Sequence, residues 1–306
     1  MIELEDIAYV RSGVADLPAA VRFATDIVGL ELVASDEEGV AHLRADERHH
    51  CLALVAGRSG VIASGFTVAD DEALAGAERE LERRGMAVER LDAAAARSRR
   101  VRSGIAFDDP FGNRLELVTQ QERLARPVAL GRASGIIEFG HLCLDAPDVH
   151  EAYQFWSGTF NAKVSDWIGD AACLMRIDPV HHKLAVFKGE RPGLCHVNFQ
   201  VASIDDVFRN WHFLVDHDVE IEMGPGRHPQ STAVFIYFLG PESFTYEYSF
   251  GVRRIEDDAG WRPRTFDPAE PGSIDMWLGP TSRPTTQPQL GHEAPAPEPI
   301  PARLSV

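Results

Sequence analysis

The chain has 306 residues and a formal net charge of −17, so its surface repels nucleic-acid phosphate, and no Lys/Arg cluster is dense enough to reverse that locally. Hydrophobic residues make up 44% and charged residues 25%, as in a globular protein of about two domains; no run approaches the roughly 18 apolar residues of a membrane span. The opening MIELEDIAYV lacks the basic and apolar regions of a secretory leader, and the four cysteines form no CxxC pair, so a cytoplasmic protein with reduced, buried thiols is expected.

In chain order, the first elements are a helix start at VADLPAAVRF (14–23) and an apolar strand at HHCLALV (49–55). The basic run Arg97–Arg102 (RSRRVR) is expected to be a solvated loop, and DPFGNRLELV (109–118) a turn leading into a strand. The same order then recurs. APDVHEAYQF and HHKLAVF follow their counterparts by 132 residues, and GPESFTYEYS (240–249) follows DPFGNRLELV by 131. Two copies of one unit are therefore expected, about 1–130 and 131–262.

In the second copy, IEFGHLCL reads as a strand and 150–160 as a helix. ACLMRI, HHKLAVF and CHVNFQV read as strands, and Ser203 caps a helix with acidic residues in its first turn. VEIEMG, AVFIYFL and FTYEYSF complete an α+β pattern. Each copy is either a pair of βαβββ modules or a single duplicated βαβββ set, forming curled mixed sheets. Residues 263–306 become rich in Pro, Thr, Gln and Glu, and a disordered or draped tail is expected there.

Three strand positions of the second copy carry possible metal ligands: His141 in EFGHLCLD, His196 in GLCHVNFQV and Glu247 in FTYEYSFG. Alternation puts His196 with Asn198 and Gln200, opposite Val197, Phe199 and Val201, and puts Glu247 with Thr245 and Ser249. Two imidazoles and a carboxylate on one side of an ion leave open positions and suit Fe(II), with Mn(II) as the alternative. The first copy has Tyr9 in place of His141, Ala63 or Ser64 in place of His196, and retains only Glu116 opposite Glu247. It keeps the scaffold without the triad.

Over about residues 1–255 the chain resembles type I extradiol dioxygenases of the vicinal-oxygen-chelate superfamily. The resemblance is carried by GHLCLDAPD, by HH-x-LA-x-F with His181-His182, by CHVNFQV, by GRH (226–228), by Phe235-Ile-Tyr237, by Pro241 and by Glu247. It implies two tandem vicinal-oxygen-chelate domains, of which only the second is catalytic. It also implies cleavage of a catechol-type diol beside its hydroxyls by Fe(II) and O2, giving a hydroxymuconic-semialdehyde-type product. His182 is implied as the acid–base residue, with Tyr237 hydrogen-bonding one diol oxygen and His228 holding the other or a proton relay, in a homo-oligomer. Gly240, Ser243 and Gln230 depart from the family pattern. Two other readings stand beside this one: a glyoxalase-like isomerase or epimerase, and a non-catalytic small-molecule binder.

Overall fold

The computed structural model describes residues 1–33, 37–279 and 281. The first half runs β1 (Asp6–Val14), α1 (Leu17–Arg22) continuing as a π-helical turn over Phe23–Val28, β2 (Glu31–Val33), β3 (Val40–Arg44) and β4 (Leu52–Ala56). It continues with β5 (Gly60–Thr67), α2 (Asp71–Arg83), β6 (Glu89–Arg90), α3 (Ala93–Ser98), β7 (Ser103–Asp108) and β8 (Arg114–Thr119). The second half runs β9 (Ile136–Ala146), α4 (Val149–Thr159), β10 (Lys163–Ile168), β11 (Ala172–Arg176) and β12 (Leu184–Lys188). Then come β13 (Leu194–Val201), α5 (Ile204–Asp216), β14 (Ile221–Arg227), β15 (Val234–Leu239), β16 (Thr245–Phe250) and β17 (Arg264–Phe266).

Each half builds one mixed sheet, ordered β2-β3-β4-β1-β5-β8-β7-β6 in the first and β14-β15-β16-β13-β9-β12-β11-β10-β17 in the second. In the first sheet β1 pairs parallel with β4 and antiparallel with β5; β9 does the same with β12 and β13 in the second. Each half is therefore a pair of βαβββ modules joined through their first strands, the first of the two arrangements the repeat allowed.

The local signals for these elements are plain. Asp16 and Asp148, 132 residues apart, both cap helices, their carboxylates accepting from Ala19 N and from His150 N and Glu151 N. Ser203 caps α5, and Asp205 and Asp206 complement its N-terminal dipole. One face of the second sheet gives Phe139, Leu142, Val197, Phe199 and Val201 to an apolar core with Trp156, Val207 and Leu214 from the helices. The opposite face of the same strands carries the polar residues. This division of faces places the site.

The C-terminal segment departs from a disordered tail as far as Gly279. β17 pairs parallel with β10, and the chain then crosses the second half with Ser273 and Asp275 buried. Polar anchoring holds it in place of apolar area: Asp275 accepts from Arg227 N, Trp277 N and Gly279 N. The Pro-rich run from 282 onward lies outside the described residues. No helix among the described residues is long and apolar enough to cross a membrane.

Candidate metal centre

His141, His196 and Glu247 lie on three adjacent central strands, β9, β13 and β16, all on the concave face. Register carries them there: His141 and Glu247 each pair with Asn198, while His196 pairs with Cys143. His141 Nε2, His196 Nε2 and Glu247 Oε2 form a triangle with sides of 3.1, 3.4 and 3.0 Å. Atoms about 2.1 Å from one ion and at right angles to each other lie about 3.0 Å apart, so the triangle fits three adjacent positions of an octahedral ion. All three side chains are buried, and Glu247 Oε2 makes no well-directed hydrogen bond. Burial alone would raise the Glu247 pKa, but His141, His196 and His228 hold it well below the ordinary carboxylate range. Beneath the triad, Asn198 and Gln200 donate to Ser249 Oγ at 2.8 and 2.9 Å and fix the strands in register.

Cys143 shares the face with His141, two residues away, and its Sγ stands 3.1 Å from His196 Nε2. Among the described residues His141, Cys143 and His196 also group as possible ligands. Burial, with Cys195 and Glu247 nearby, raises the Cys143 thiol well above its ordinary pKa, and the side chain lines the pocket beside the triangle. The i, i+2 spacing from His141 was the sequence signal for Cys143.

The other expected site residues converge on the same face. His182 packs on His141 with ring centroids 4.3 Å apart, and burial, with His141 and His181 beside it, holds it neutral, well below the usual imidazole range. Tyr237 pairs with Glu247 across β15 and β16, and its hydroxyl stands 3.0 Å from His228 Nε2. His228 Nδ1 donates to Ile274 O at 2.7 Å, which leaves Nε2 facing the Tyr237 hydroxyl. Phe235 stacks on His228 at 3.8 Å and holds the ring in place.

Among the aromatic residues of the second half, Phe187 lines the pocket beside the triad. Trp167 instead packs on His150 and Tyr153, and Phe244 on Tyr246. The remaining apolar lining is Ile168, Leu174, Met223 and Ile274.

The three departures from the family pattern have structural readings. Gln230 donates to Ser273 O at 2.6 Å and ties down the C-terminal crossing. A Cβ at Gly240 would stand 2.6 Å from the Tyr246 ring, so the turn needs glycine there. Ser243 adopts a φ of 61°, the left-handed region that the family glycine enters freely.

In the first half the same concavity is filled. Tyr9 donates to Glu116 at 2.6 Å, and Arg99 pairs with Glu116 through Nε (2.7 Å) and Nη2 (2.5 Å). Arg11, His42 and His50 are buried around them. The strand register sets Ala63 opposite Arg11 as it sets His196 opposite Cys143, which resolves the counterpart of His196 to Ala63. The RSRRVR run is thus not simply a solvated loop: Arg99 plugs the first half and supplies the countercharge for Glu116. Arg99→Met should destabilise the protein by about 3–5 kcal/mol, because a buried carboxylate is left unpaired. Adding Glu116→Gln should recover most of that loss in urea denaturation.

The profile described as Glyoxalase/Bleomycin resistance protein/Dioxygenase superfamily matches residues 6–117 and 138–262. The chain is 29% identical over 276 residues to a biphenyl-2,3-diol 1,2-dioxygenase of Paraburkholderia xenovorans, covering 85% of this chain and 91% of that protein. It is 23% identical over 300 residues to an iron-dependent extradiol dioxygenase of Rhodococcus jostii, covering 90% and 97%. Its fold is similar to that of a Mn(II)-bound glyoxalase from Novosphingobium aromaticivorans, with a TM-score of 0.85, 27% identity, and coverage of 97% and 96%.

Proposed function

Because the chain belongs to the glyoxalase/bleomycin resistance protein/dioxygenase superfamily, we propose that its second half, about residues 131–262, is the catalytic domain of an extradiol dioxygenase. The protein cleaves a catechol-type diol beside its hydroxyls, using Fe(II) and O2, and gives a hydroxymuconic-semialdehyde-type product. The observation that carries this reading is the His141–His196–Glu247 triangle with His182, Tyr237 and His228 around it. Bound Fe(II), or Mn(II) in its place, supplies a Lewis-acid template that gathers diol and dioxygen.

The surrounding side chains handle the protons. His182, whose ring lines the cavity, accepts one diol proton and later returns it. Tyr237 and His228 hydrogen-bond the second diol oxygen, and Ile168, Leu174, Phe187, Met223 and Ile274 pack the ring and exclude water. Reconstitution with Fe(II) without oxygen, then oxygen uptake across monocyclic and bicyclic catechols, tests the reading. Absence of uptake with every catechol, despite stoichiometric iron, would overturn it.

The likeness to a glyoxalase favours a second reading, an isomerase on the same metal site. Turnover of a glutathione hemithioacetal without oxygen uptake would establish that one. A cytoplasmic homo-oligomer is proposed on the resemblance, and light scattering after size exclusion measures the assembly.

The cavity beside the triad is about 30 Å³, room for water but not for an aromatic ring. Ile274, on the irregular C-terminal crossing, is one apolar wall of it. Ile274→Ala should raise kcat/KM for 2,3-dihydroxybiphenyl relative to catechol by about tenfold, measured as oxygen uptake on both diols.

A further inference from the structure

Asp166 on β10 is fully buried and lies outside the metal triangle, yet it is tied to the site through a chain of hydrogen bonds. Its Oδ2 stands 2.9 Å from His181 Nε2, and His181 Nδ1 stands 3.1 Å from His182 Nδ1. Arg264, the first residue of β17, clamps the same carboxylate. Its backbone N donates to Oδ1 at 2.7 Å, its Nε donates to Oδ1 at 3.1 Å, and its Nη2 donates to Oδ2 at 2.5 Å.

The polarity of this chain follows from its ends. Burial alone would raise the Asp166 pKa, but His181 and Arg264 bring it below the ordinary value, so the carboxylate is ionised and can only accept. His181 Nε2 therefore carries a proton. Burial lowers the His181 pKa and favours the neutral ring, whose Nδ1 then bears a lone pair to which His182 Nδ1, 3.1 Å away, donates. With Nδ1 protonated and engaged, Nε2 is the bare nitrogen left for the cavity that His182 lines.

We propose that Asp166, clamped by Arg264, is a positioning residue: through His181 it fixes His182 in the tautomer whose Nε2 faces the diol as a base. The reaction it serves rests on the dioxygenase reading above. When the diol O–H gives its proton to Nε2, the imidazolium formed is one neutral ring away from the Asp166 charge. The proton leaves Nε2 again toward the ring-opened product, and the chain returns to its starting state. An orienting carboxylate behind a basic imidazole is a general solution to this task.

The first half is an internal control. It keeps the histidine pair, with His49 Nδ1 3.2 Å from His50 Nδ1, but has no metal triad. The histidine pair therefore belongs to the scaffold.

The test reads the tautomer directly. In metal-free protein labelled with 15N-histidine, long-range proton–nitrogen spectra should show His182 protonated on Nδ1, its signals assigned by their loss in His182→Gln. Asp166→Asn should shift that equilibrium toward Nε2–H. In the iron-loaded enzyme it should lower kcat about 10–100-fold with iron content and KM retained, and Asp166→Glu should restore part of the rate. If Asp166→Asn does not fold, Arg264→Gln keeps the carboxylate but loosens it, and should produce a smaller shift of the same sign. A parent His182 protonated on Nε2, or an unchanged tautomer and kcat in the variants, would overturn the proposal. The expected tautomer without turnover of any diol would overturn the dioxygenase reading and leave the hydrogen-bond chain standing.

Discussion

Glu247→Gln is expected to reduce oxygen uptake to less than about a thousandth of the parent rate, with iron content falling in step. Glu247 is the one anionic member of the triangle, and its Oε2 lies 3.0 and 3.4 Å from the two imidazole nitrogens. Glutamine keeps the shape but removes the charge that offsets a divalent ion, leaving two neutral imidazoles to hold it. His196→Ala should do the same by removing one corner of the triangle. The control is Glu116→Gln. Glu116 occupies the matching strand position in the first half, but its countercharge is Arg99. That variant should lose stability while its iron content and activity per iron remain unchanged. Elemental analysis and an oxygen electrode distinguish the two outcomes. Retained iron and rate in Glu247→Gln would remove the metal centre from this position.

The repeat made much of this visible in the sequence. The 132-residue offset located matching caps at Asp16 and Asp148 and matching strands after each histidine pair, because caps and alternating strands are local signals. His141, His196 and Glu247 were legible for the same reason: each stands on the polar face of a strand whose other face is apolar. Residues acting from a distance were not. Asp166 reads as one polar residue in a short strand, and only the approach of Arg264, 98 residues later, reveals its role. Ile274 and Ser273 lie in a segment whose composition suggests disorder, and what orders it is backbone hydrogen bonding to Gln230 and His228, which composition does not encode. Arg99 was hidden by its neighbours, since a run of arginines reads as a solvated surface until one of them is seen paired with a buried glutamate.

His182→Gln is expected to lower kcat by about 10²–10⁴-fold while leaving bound iron and KM close to the parent values. His182 is not a corner of the triangle; it packs on His141 at 4.3 Å and lines the diol cavity, so metal binding should survive its loss. Glutamine has comparable reach and can still hydrogen-bond toward His181, but it cannot take up a proton at neutral pH. The diol must then ionise without a base. The variant's rate should consequently rise with pH beyond the point where the parent levels off, because hydroxide and solvent take over the missing transfer. The deficit should also depend on the substrate. Catechols with an electron-withdrawing substituent give up their proton more readily, so the gap between parent and variant should narrow as diol acidity increases. A structural role for His182 predicts otherwise: an equal deficit for every diol, at every pH, accompanied by lost iron. Oxygen uptake by both proteins over a series of substituted catechols, from mildly acidic to alkaline pH, separates the two. An unchanged ratio across that series would place the base on another residue of the site.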